Sequence, residues 1–130
     1  MKHWMAQYLG LAWTNTYDCF VHFTQVQADQ FGITDIMDMV NVPRVSDHAA
    51  AQDFVNNDPQ VTSRWSKVLT PREGDAVVFT RKAVSFHIGT WVAVDGGGVL
   101  HCARNDGVVF TPFRALNLLP FEHRKYLRHR

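Results

Sequence analysis

The spacing of hydrophobic positions changes near residue 71, dividing the chain into a helical part and a strand-forming part. Before that point apolar residues recur every three or four positions. Trp4, Met5, Tyr8 and Leu9 predict a short helix over 2–9, stopped by Gly10. After the polar turn Thr14-Asn15-Thr16, the spacing of Phe20, Phe23, Val26 and Phe31 predicts a helix from Asp18 to about residue 30, closed by Gly32. Asp18 is its expected N-cap, which places Cys19 in the first turn, at the positive end of the helix dipole. Residues 35–39 add a short helical piece, and Ser46-Asp47 starts a capped helix reaching about residue 55. Asp58-Pro59 begins a short element over 61–68, from which Trp65 and Leu69 are expected to face inward.

Beyond Pro71 the pattern shortens to strands punctuated by turn residues. Gly74-Asp75 leads into a strand over 76–80, and a second over 86–94 is turned by Asp95-Gly96-Gly97-Gly98. A third over 99–103 is turned by Asn105-Asp106-Gly107, and a fourth covers 108–111. Residues 112–119 are irregular or one turn of helix, and 121–127 form a last strand. Helices followed by a strand meander predict one α+β domain over 1–130, with an antiparallel sheet of about five strands.

Composition adds limits. At 130 residues, 46% of them hydrophobic, the chain can bury one core without staples. A formal net charge of +1 provides no electrostatic case for nucleic acid or an acidic membrane. No apolar run approaches a membrane span, and the amino-terminal residues lack a stretch of secretory length. Synthesis in the cytoplasm is therefore expected, with another route out for any work outside the cell. The terminal cluster of Arg124, Lys125, Arg128 and Arg130, with His123 and His129, is expected to be a solvated tail.

Candidate chemistry centres on Cys19, followed downstream by His87 and His101 in strand-like segments. A thiol attacks as thiolate, which a helix N-terminus and a neighbouring imidazole both favour, and a second polar residue orients that imidazole. Competing uses are weaker. His22 with His101 or His48 lacks the closely spaced ligand pairs of structural zinc, so His22 is expected to be a partly buried helix histidine. No metal and no cofactor are expected. Cys102 should point to the opposite face of its strand from His101, as a core thiol, and both cysteines are expected to be reduced. Asp75 reads as a turn residue, and Asp95-Gly96-Gly97-Gly98 lacks the strand-to-helix context of a phosphate loop. Trp91 alternates with Gly89 and His87, which places it on the same strand face.

Three stretches together carry a resemblance. They are Tyr8-Leu9-Gly10-Leu11-Ala12-Trp13 with Tyr17-Asp18-Cys19-Phe20; Pro71-Arg72-Glu73-Gly74-Asp75-Ala76-Val77-Val78-Phe79; and His87-Ile88-Gly89-Thr90-Trp91-Val92 with Gly97-Gly98-Val99-Leu100-His101-Cys102-Ala103. In order and spacing they resemble NlpC-type papain-like cysteine peptidases, specifically the small branch found in bacteriophage tail assemblies. The resemblance implies a papain-like fold, with Cys19 as nucleophile, His87 as general base and His101 as the residue orienting it. It implies cleavage of peptidoglycan stem peptides, other tail-tip proteins as partners, and carriage on a virion that acts in the cell wall. Family members commonly supply an oxyanion tyrosine from the loop before the cysteine; Trp13 aligns with it, and Tyr17 or Tyr8 are the alternatives. Phe20-Val21-His22-Phe23 is bulkier than the family's small residue after the cysteine. Two other readings share the fold: an inactive structural or assembly module of the tail, and a cytoplasmic amidase or acyltransferase.

Overall fold

The computed structural model describes residues 3–36, 64–81, 84–121 and 123–130. Its strands are β1 (Trp65–Val68), β2 (Ala76–Arg81), β3 (Val84–Val92), β4 (Gly98–Ala103), β5 (Gly107–Pro112) and β6 (His123–His129). They form one antiparallel sheet in the order β1-β6-β2-β3-β4-β5. A single α-helix, α1 (Cys19–Phe31), and two 3-10 helices, η1 (Trp4–Gln7) and η2 (Phe113–Leu118), complete the elements among the described residues. No helix among them is long and apolar enough to cross a membrane.

The α+β class is as expected, but the sheet has six strands rather than about five. The extra one is β1, which occupies the end of the short element expected over 61–68. Trp65 is buried there, whereas Leu69 is 91% exposed, because the strand ends at Val68 and the chain turns outward. A larger correction concerns the basic terminal cluster. It is β6, paired on both sides by β1 and β2, and not a solvated tail. Its charges are accommodated by partners: Arg128 grips the Asp75 carboxylate through Nε and Nη2, the latter at 2.8 Å. Asp75 also accepts from the Arg72 N–H at 2.8 Å, so it is a turn residue and an ion-pair partner together. The helix expected over 2–9 is one 3-10 turn, capped by His3 Nδ1 accepting from the Met5 N–H. The helical pieces expected over 35–39 and 46–55 lie, beyond Ile36, outside the described residues.

Both faces of the sheet are covered. On one, Phe20 and Phe23 of α1 cluster with Trp65, Ala76, Val78, Ile88 and Leu127, and Val26 clusters with Val92, Leu100, Cys102 and Val108. Further along α1, Gln27 Nε2 donates to Gly74 O at 3.0 Å and Thr90 Oγ1 at 3.3 Å. These contacts advance from Ile88 to Thr90 as α1 advances, so the helix runs in the direction of β3. The opposite face holds a smaller core of Val77, Phe79, Trp91, Val99 and Leu116.

Candidate active site

Asp18 caps α1 as its sequence position requires. Its backbone is extended and its Oδ1 accepts from the Val21 N–H at 2.9 Å, while Gly32, in the left-handed conformation, closes the helix. Cys19 is thus the first helical residue, fully buried and outside any disulfide, as is Cys102. A sulfur at that position faces the positive end of the helix dipole, which favours its anion.

His87 and His101 come from neighbouring strands and are joined directly, with His87 Nε2 lying 2.8 Å from His101 Nδ1. The β3–β4 ladder runs from Val92–Gly98 to Thr90–Leu100, so the two rings meet just past its last pair. Gly89 permits this close approach: a Cβ there would stand 2.5 Å from Val99 Cγ1 and 2.9 Å from His101 Cβ. The relay continues to a residue that sequence reasoning missed, Thr111, whose Oγ1 is 2.8 Å from His101 Nε2. When Thr111 accepts from His101 Nε2–H, His101 Nδ1 accepts from His87 Nε2–H. The proton-free nitrogen of His87 is then Nδ1, available as a base.

The pair sits in an aromatic enclosure. Phe121 stacks on His87 with ring centres 5.5 Å apart and planes within 5°, and Phe79 lies 5.6 Å from the same ring. Burial pushes His101 down to about 4, against a smaller upward pull from Asp106. Burial, then the positive charges of His101 and His22, hold His87 well below the usual imidazole range. Both rings are therefore neutral at neutral pH.

Strand register decides which groups share a face. Phe79 pairs with His87, Val77 with Gly89 and Trp91 with Val99, so both imidazoles, and Trp91 as expected, project from the face opposite α1. Cys19 clusters with Val78 and Ile88 on the α1 face, at the His87 end of β3. Cys102 also lies on the α1 face, opposite His101 as predicted, with its Sγ 3.7 Å from Tyr17 O.

The three oxyanion candidates separate. Trp13 is engaged by Arg104, whose guanidinium carbon lies 4.9 Å from the ring centre. The Tyr8 hydroxyl donates to Asp29 Oδ2 at 2.8 Å and accepts from Gln30, toward the far end of α1, about 15 Å of helix from Cys19. Tyr17 lies two residues before Cys19 in the chain, but it packs against the cluster of Val26 and Cys102, with its hydroxyl 2.8 Å from His22 Nδ1. Burial pushes the Tyr17 phenol up to about 12, so it stays a proton donor, while burial and the positive charge of His101 lower His22 to about 4. His22 is fully buried rather than partly so, and its Nδ1 belongs to Tyr17. His48 lies outside the described residues. A scan against protein families and a search of curated proteins both return no match to this chain.

Proposed function

We propose that this protein is a papain-like cysteine hydrolase that cuts a peptide bond in the peptidoglycan stem, working in a phage tail tip to open the host wall locally. The observation that supports this reading most is the His87–His101–Thr111 relay, in which His87 is held through Nε2, so that Nδ1 lies outside the relay. Cys19, at a capped helix N-terminus, is the nucleophile of this reading; it lies at the His87 end of β3, on the opposite face of the sheet from His87.

In this mechanism, which requires Cys19 Sγ to reach His87 Nδ1 from the opposite face of the sheet, that nitrogen takes the thiol proton as Cys19 Sγ attacks the scissile carbonyl carbon. Backbone N–H groups of the first turn of α1 meet the oxyanion. The leaving amine then takes the proton from His87, and water, activated by the same ring, hydrolyses the thioester. Because His87 and His101 are held neutral by burial, the resting pair is thiol and imidazole, and proton transfer accompanies attack. The setting on a virion and the tail-tip partners follow from the resemblance alone.

One observation favours a second reading, a tail structural module of the same fold without hydrolytic activity. Cys19 is fully buried on the α1 face, whereas the register projects His87 from the other face. Incubating the protein and its Cys19→Ala variant with purified sacculi separates the two readings. Hydrolysis by the wild type alone, with fragments identified by mass spectrometry, is the expected result. Intact sacculi with folded wild-type protein would contradict the hydrolase reading and favour the structural module.

A further inference from the structure

On the sheet face that carries His87 and His101, at the other end of β3, a cavity of about 660 Å³ opens between β3, β6, η2 and the chain around Leu69. Its size is that of a small-molecule site. Trp91 forms the floor, with Phe113 and Tyr126 edge-on to the indole at ring-centre distances of 6.2 and 5.8 Å. The hairpin tip seats tightly on this floor, since a Cβ at Gly97 would stand 2.3 Å from the indole. Leu69, 91% exposed, and Phe113, 51% exposed, make an apolar rim.

The charged group in this apolar setting is Arg124. Its Nε donates to the Tyr126 hydroxyl at 2.9 Å, its Nη1 donates to Asn117 Oδ1 at 3.3 Å, and its plane lies over Phe113 at 5.4 Å. Among the described residues no carboxylate pairs with Arg124, and no Asp or Glu lines the cavity. Tyr126, having accepted from Nε, retains its own O–H to donate. A guanidinium fixed by neutral partners on an aromatic wall, beside a free phenol proton, is pre-organised for a carboxylate.

We infer that this cavity is a second ligand site, which binds a small carboxylate carried on an apolar body, the chemistry of a free C-terminal amino-acid residue. The apolar body fills the space against Trp91 and Phe113, and the carboxylate meets Arg124 and Tyr126. Neither Cys19 nor His87 belongs to the site, so it does not depend on the hydrolase reading.

The test titrates the full chain with N-acetyl-leucine and with N-acetyl-leucinamide, following the indole N–H signal of Trp91 by NMR. The acid is expected to bind at least about tenfold more tightly than the amide, as loss of a charge-assisted pair requires. In Arg124→Gln the two should bind within about twofold of each other, and Tyr126→Phe, which alters only one hydroxyl, should narrow the ratio in the same direction. Cys19→Ala should bind the acid as the wild type does. Equal binding of acid and amide by the wild type, binding of neither, or a preference undiminished in both Arg124→Gln and Tyr126→Phe would overturn the assignment.

Discussion

His87→Gln is expected to slow sacculus hydrolysis by about a thousandfold or more, with the folded protein preserved. Glutamine is close in volume to histidine, so it leaves little cavity in the enclosure of Phe79 and Phe121. Its side-chain amide can still bond to His101 Nδ1. What it cannot do is accept the Cys19 proton, and a positioned general base contributes about 10²–10⁴ in rate. Since nucleophile and base act as one unit, Cys19→Ala is expected to reach the same floor, and the double variant to be no worse than either single one. Thr111→Val removes only the end of the relay, so it should cost about tenfold and move the acid limb of the pH–rate profile. Steady-state rates for the four variants, with thermal unfolding as a control, check these expectations. Full activity of His87→Gln would remove His87 from the mechanism.

Acidification is expected to destabilise the fold well above the pH at which carboxylates titrate. His22 and His101 are held at about 4 in the folded protein, against about 6.5 when unfolded. Both are neutral in either state above pH 6.5, so they leave stability unchanged there. As pH falls below 6.5 the unfolded chain takes up protons that the folded one refuses, and stability is lost progressively toward pH 4. At about pH 5 each costs about 2 kcal/mol, about 4 kcal/mol together, which lowers the melting temperature by on the order of 10 °C. His87, held below its usual range for the same reason, adds to the loss. His87→Gln should therefore lose less melting temperature than wild type between pH 7 and 5. Calorimetry between pH 7 and 5 reads this directly, and a melting temperature unchanged over that interval would contradict the burial of these rings as neutral groups.

Much of the fold was legible because local signals agreed with tertiary ones. Asp18 and Gly32 bracket α1 by capping chemistry, and the turn residues around 95–98 and 105–107 separate β3, β4 and β5. The histidine pair was legible as well, since adjacent strands lie about 4.8 Å apart. β6 was harder to read. Its Arg124, Lys125 and Arg128 resemble a solvated tail until Asp75, Asn117 and Phe113 are placed beside them. Sidedness could not be read from β3, because the sheet is covered on both faces and Ile88 and Trp91, on opposite faces, are both buried. Thr111 was missed for a related reason: its face depends on the β4–β5 register, and a one-residue slip would turn it away from His101. The Trp91 cavity draws on residues near 69, 91, 113 and 124, which no sequence window brings together.

The proposed chemistry is tested most directly by locating the acyl group. The protein is mixed with a peptidoglycan stem peptide, quenched in acid during turnover, digested, and its peptides weighed by mass spectrometry. The predicted result is a thioester on Cys19, absent from Cys19→Ala protein, with Cys102 unmodified. An acyl group on Cys102, or hydrolysis with no acyl group on Cys19, would contradict it.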